Sequence, residues 1–246
     1  MIPDKMPCKE PLDTNSKIWR YMDFAKFVWL LETGQLYFSR SDKFDDPYEG
    51  TLPQKVREYV AMRIKENGAI SVLFKTFQQH YPTARKATYV NCWHLNDNES
   101  AAMWGLYSKN KNGIALQSRY KSLRDSLHKA TEEIFIGEVS YRDYSSDENF
   151  RGNFLSPFYS KMKSYEHEKE VRAIMQDINF VKHTMQEADL NPLGKLVKID
   201  LTELIECIYV NPFCPQWFFD IVNGVCKKYD LHVKTTKSDL SIDPVF

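Results

Sequence analysis

The chain has 246 residues, with 33 basic and 33 acidic side chains and a formal net charge of zero. That length fits one domain or at most two, and a chain of this size buries enough surface to hold a core without a disulfide or a metal. Neutrality counts against a protein that binds nucleic acid through an overall basic excess, because counterion release needs such an excess. Apolar residues at 43% and charged residues at 27% are ordinary for a soluble globular protein. Aromatics at 14% are rich, and suit either a core or the walls of a pocket for a planar ligand. No stretch is apolar enough to span a membrane. Residues 1–17 carry no apolar signal segment and are expected to form a polar leader, with residues 18–246 as one domain. The five cysteines, Cys8, Cys92, Cys207, Cys214 and Cys226, are odd in number and lack C-x-x-C spacing. They predict reduced thiols and a cytoplasmic protein, with no metal site.

The first clear element is a helix over 23–33. Asp23 is placed to cap it, Phe24, Phe27, Val28, Leu30 and Leu31 give its apolar face, and Gly34 stops it. A strand over 36–39 follows, then a turn at Asp45-Asp46-Pro47, then a helical region over 52–79. Residues 88–93 have the β-branched and aromatic character of a strand. Asp97 or Asn98 is expected to cap the next helix, which carries Met103, Trp104 and Tyr107. Further expectations are a strand at 114–117, a helix at 120–132, a strand at 134–141, a loop at 143–157 and a helix near 157–164. A strand at 168–175 precedes the last third. There the pattern reads strand 195–200, helical turn 201–206, strand 207–210, helix 215–229 and strand 231–236. This irregular alternation predicts an α+β fold, with a mixed, mainly antiparallel sheet flanked by helices. Neither a Rossmann fingerprint nor a phosphate-binding P-loop is present.

The densest chemistry lies at Tyr165-Glu-His-Glu-Lys-Glu-Val-Arg172. On a strand, Glu168, Glu170 and Arg172 would share one face. Two neighbouring carboxylates tend to push one pKa up, and the arginine pulls it down. Such a face can hold a sugar hydroxyl and stabilise an oxocarbenium ion, or it can be a solvated face in which Arg172 neutralises two acids. A second cluster is Trp19-Arg20-Tyr21 with Leu36-Tyr37-Phe-Ser39-Arg40, where an arginine among aromatics can bind a phosphate. The third is Cys92-Trp93-His94 with Trp104 and Tyr107. The fourth is the acid-rich turn Phe44-Asp-Asp-Pro-Tyr-Glu-Gly50, in which Asp45 or Asp46 can accept backbone N–H groups. His94 is either an acid/base or a structural histidine, and the tryptophans are either core or pocket wall.

These segments in this order resemble the bacterial domain-of-unknown-function family 2971. The resemblance also includes Asn112-Gly-Ile-Ala-Leu116 and Lys163-x-Tyr165, and it covers roughly residues 18–175. Asp45, His94 and Tyr165 stand where the family more often has Asn, a small hydroxyl residue and Trp. More distantly the chain is similar to mono-ADP-ribosyltransferases. The likeness lies in an early arginine (Arg20), a middle strand (Cys92-Trp-His94) and a late Glu168-x-Glu170. It implies a fold of their type, including a split β-sandwich form of the sheet, with NAD as substrate and no metal. In that picture Arg20, with Tyr21, contacts the NAD phosphates or ribose. Glu170 holds the nicotinamide ribose and stabilises the oxocarbenium ion, and Glu168 orients an acceptor, protein or nucleic acid. Tyr37, Phe44 and Trp104 are candidates to stack on nicotinamide, while Ser39, His94, Tyr107 and Arg172 complete the binding residues. A toxin or anti-phage role is the expected setting. A non-catalytic module that binds a nucleotide or a partner is the alternative.

Overall fold

The structure is a computed structural model and describes residues 8–58, 62, 83–108, 111–145, 155–177 and 192–241. The first elements are β1 (Lys17–Asp23), α1 (Phe24–Thr33), β2 (Gln35–Arg40) and β3 (Thr88–Leu95). Then come α2 (Ala101–Tyr107), β4 (Gly113–Arg119), α3 (Tyr120–Leu127), β5 (Ile134–Glu138) and β6 (Ser140–Arg142). Two 3₁₀ turns, Ser156–Tyr159 and Lys163–Glu168, flank β7 (Ser160–Met162), and β8 (Glu170–Gln176) follows. The last elements are β9 (Gly194–Lys198), α4 (Leu201–Leu204), β10 (Cys207–Val210), α5 (Gln216–Lys228) and β11 (Lys234–Lys237). The strand pairings are mainly antiparallel, so the α+β expectation holds. The region 52–79 falls largely outside the described residues; 54–58 are helical.

The chain forms two compact units. The first comprises 1–10, 37–91 and 132–195, and the second 11–36, 92–131 and 196–246. Three of the five boundaries fall inside β2, β3 and β9, and the other two follow residues 10 and 131.

In the first unit β5 and β8 pair antiparallel, with Gly137 opposite Arg172 and Ile136 opposite Ala173. β2 pairs antiparallel with β3 through Ser39 opposite Val90. β6 and β7 make a small parallel pair of their own. Phe38, Tyr89, Phe158, Val171, Ala173 and Ile174 are fully buried in its interior. A Cβ on Gly137 would sit 2.5 Å from Cys8 Cβ, so only glycine admits the segment at 8–9, which bridges to Glu138.

In the second unit β1 lies antiparallel between β4 and the end of β3, β4 pairs antiparallel with β10, and β10 pairs parallel with β11. Asp23 caps α1, its carboxylate accepting from Lys26 N at 2.8 Å, and Gly34 ends the helix in the left-handed region at φ 62°. On α5, Phe218, Val222 and Cys226 recur every four residues and are buried, while Trp217 and Ile221 face outward.

Several elements differ from the sequence expectation. The helix expected over 120–132 ends at Leu127, the strand expected over 134–141 divides into β5 and β6, and the strand expected over 231–236 is β11. Ser100, and not Asp97 or Asn98, caps α2, its hydroxyl accepting from Met103 N. The region expected as a helix near 157–164 is two 3₁₀ turns around β7, whose residues pair with β6 instead of continuing a helix. The strand expected from Glu168 begins at Glu170, because Lys169 adopts φ 39° and breaks the extended run.

Candidate active site

The first unit contains a buried chain of alternating charges. Its first member comes from the turn at 44–50. Asp46 Oδ1 accepts from Tyr48 N at 2.9 Å and its carbonyl accepts from Glu49 N at 3.1 Å. Gly50 turns the chain at φ 66°, and its missing Cβ leaves room for the Phe158 ring. The turn thereby delivers Glu49 inward, where it is 1% exposed.

Arg172 meets it from β8. Its Nη1 and Nη2 donate to the two Glu49 oxygens at 2.5 and 2.9 Å, and Nη1 also donates to the Phe158 carbonyl at 2.7 Å. The Phe44 ring lies 5.9 Å from the guanidinium carbon. Arg172 Nε donates to Glu170 Oε2 at 2.6 Å, and the two residues share a strand face because strand side chains alternate. The other Glu170 oxygen accepts from Lys161 Nζ at 2.7 Å. Lys161 also bonds Glu168 and stands 4.6 Å from the Tyr165 ring. Tyr141 anchors the start of the strand, its hydroxyl accepting from Glu170 N at 2.7 Å.

This network separates the two carboxyls chemically. Burial alone would raise the Glu170 pKa, but Arg172, the hydrogen bond from Glu168 and Lys161 hold it well below the usual carboxylate range. Burial, the hydrogen bond to Glu170 and its charge push Glu168 up to about 7, against the pull of Lys161. Burial likewise raises Glu49, although Arg172 opposes it. Burial disfavours the Lys161 ammonium, yet Glu170 and Glu168 more than offset this and its pKa is raised. Within the Glu168–Glu170 pair, one carboxyl is thus held toward its ionised form and the other toward its protonated form. Environments that push two neighbouring carboxyls apart in this way suit acid and base roles, and buried ion-pair networks produce them too.

Of the residues singled out from the sequence, Glu168, Glu170, Arg172 and Phe44 lie in this cluster. Tyr37 and Ser39 belong to the same unit on β2. Tyr37 is 41% exposed and packs against Gly194, where a Cβ would stand 2.1 Å from the ring. Glu49, Lys161 and Tyr141 were not singled out individually. Glu49 alone had a signal, as part of the acid-rich turn.

Arg20, Tyr21, His94, Trp104 and Tyr107 belong to the second unit. Arg20 is half-buried, its Nη1 donates to the Cys92 carbonyl at 2.9 Å, and its guanidinium stands 5.9 Å from the Trp93 ring. Tyr21 and Trp104 meet edge to face at 5.1 Å within a buried cluster that includes Trp19 and Met103. Trp104 Nε1 donates to Glu99 at 2.8 Å, and the Tyr21 hydroxyl accepts from Ser100 N at 2.8 Å. His94 is buried 6.3 Å from the Tyr21 ring. Tyr107 is half-exposed and lines a cavity of about 450 Å³ with Phe24, Leu106 and Ser108. Among the described residues no three His, Cys, Asp or Glu side chains gather as metal ligands, and no helix is long and apolar enough to cross a membrane.

No protein-family model matches the chain, and no curated protein matches it, so the likeness to family 2971 rests on the quoted motifs alone. Among solved structures, the chain is similar to two complexes of one protein. They are Thermus sp. 2.9 DarT with ADP-ribosylated ssDNA and with NAD+. The first has a TM-score of 0.43 at 11% identity, over 97% of this chain and 100% of that one. The second has the same TM-score and identity over 96% and 100%. A likeness of this degree fixes neither fold nor activity; the chemistry proposed below is read from the chain's own residues.

Proposed function

We propose that the chain is an NAD-consuming enzyme of the ADP-ribosyltransferase kind, acting at Glu168 and Glu170. The observation that carries this reading is the split pair, a carboxylate held ionised by Arg172 and Lys161 beside a carboxyl that titrates near neutrality. In the reaction the bond between ribose C1′ and the nicotinamide nitrogen breaks, and its electron pair leaves with nicotinamide. The ribose becomes an oxocarbenium cation, which the fixed negative charge of Glu170 stabilises without reorganising. An acceptor oxygen or nitrogen then bonds to C1′, and Glu168 takes its proton. The acceptor is a group on a protein or a nucleic acid; water in its place gives glycohydrolase activity. A toxin or anti-phage role belongs to the same proposal.

The test is free nicotinamide measured by mass spectrometry, with NAD and with protein and nucleic-acid acceptors supplied. Wild type releases nicotinamide, and Glu170→Gln lowers the rate by about 10²–10³, the usual loss for one preorganised electrostatic group. Circular dichroism and melting confirm that the variant is folded. Release by wild type no greater than by the variant would end the proposal.

One observation favours a second reading. Both Glu170 oxygens already accept hydrogen bonds from cations of the chain itself, as they would in a purely structural network. A binding module built on that network would be stabilised by a nucleotide and form no product.

A further inference from the structure

Tyr144 follows β6 and is 6% exposed. Its surroundings fix it in place. Its carbonyl accepts from Gln54 N at 3.3 Å, and the neighbouring Asp143 carboxylate accepts from Ser145 N at 3.0 Å. Its ring packs edge-on against Tyr48, with centroids 6.1 Å apart. The hydroxyl at the end of this anchored ring has no hydrogen-bond partner among the described residues. Buried phenols usually find a partner, and a lone one costs the desolvation of its O–H.

The charges around that hydroxyl define what it can bind. Glu49, Asp46, Arg172 and Arg142 all act on it, and burial together with the two carboxylates keeps it protonated. Glu49 is engaged by the Arg172 fork, and Asp46 Oδ1 by Tyr48 N. The hydroxyl is therefore a fixed donor among two carboxylates and two guanidiniums, and it can serve an acceptor oxygen of a ligand.

We propose that Tyr144 is a ligand-contacting residue at the Glu49 end of the network, its hydroxyl donating to an oxygen of the bound substrate. The proposal rests on the NAD-consuming reading. It assigns Tyr144 to binding, with the chemistry left to Glu170 and Glu168.

The experiment is Tyr144→Phe in the full chain, which removes only the oxygen. Melting is measured without ligand, and KM and kcat for NAD+ are followed by nicotinamide release. Without ligand the variant melts at or above the wild-type temperature, because no internal hydrogen bond is lost. KM for NAD+ rises about tenfold and kcat stays within about twofold, the pattern of a contact made equally in ground and transition states. A ligand-free variant that melts clearly lower reveals an internal partner and overturns the proposal, and so does an unchanged KM in an active enzyme. A wild type that releases no nicotinamide removes the NAD reading itself, an outcome distinct from an active wild type indifferent to Tyr144→Phe.

Discussion

Two positions apart in sequence, Glu168 and Glu170 hold opposite protonation tendencies, and Lys161 touches both. If Glu168 takes the acceptor proton, kcat/KM rises with pH and levels above about 7, and Glu168→Gln loses that limb. A limb that survives the substitution belongs to another group. The same shift has a stability signature of fixed sign. A carboxyl raised from 4.5 to about 7 binds more protons folded than unfolded between those values, so its contribution is full below 4.5 and is lost as pH rises through 7. Gln mimics the protonated form. The melting temperature of Glu168→Gln minus that of wild type should therefore increase from pH 5 to pH 8. Arg172 sits between Glu49 and Glu170 with no exposed surface. Arg172→Met leaves the buried Glu49 without its cation and Glu170 with Lys161 alone, and urea titration should show a loss of about 3–5 kcal/mol.

Among the elements, those with local causes were legible in the sequence. Asp23 and Gly34 mark the ends of α1 because capping is settled within one turn of chain. The start of β8 was not legible, since a lysine in the left-handed region has no sequence signal. Nor was the partner of Arg172. Glu49 lies 123 residues away, and no spacing rule connects a turn to a strand so distant. The turn containing Glu49 was visible as acid-rich, but its inward aim depends on Gly50 and Phe158. A Cβ at Gly50 would stand 2.5 Å from the Phe158 ring and would have to hold φ 66°. Gly50→Ala should lower stability by about 1–3 kcal/mol, from backbone strain and from displacing the ring of Phe158, the residue whose backbone carbonyl accepts from Arg172. Wild-type urea stability in that variant would show that the ring moves aside without cost.

For the molecule as a whole, a net charge of zero does not mean local balance: the buried cluster of the first unit sets three acids, Glu49, Glu168 and Glu170, against two bases, Arg172 and Lys161. The aromatic richness divides between interior packing, as at Tyr21 and Trp104, and rings beside charges, as at Phe44 and Tyr165. The thiols behave as small apolar side chains. Burial pushes Cys8 up to about 11 and also raises Cys207, Cys214 and Cys226. Melting curves with and without reductant should coincide, and these four thiols should react with a thiol reagent at pH 7.5 only after denaturation. Fast labelling of the native protein at any of them would contradict this.

The short segment at 8–9 has a consequence beyond its size. β5 pairs with β8 on one side, and on the other Lys9 O accepts from Glu138 N at 2.7 Å while Cys8 reaches the Ile136 carbonyl. Those two residues act as a selvedge on β5, covering one amide and one carbonyl that would otherwise be open to a strand from another molecule. A chain trimmed past residue 10 would keep its charged cluster and present a raw edge to its neighbours.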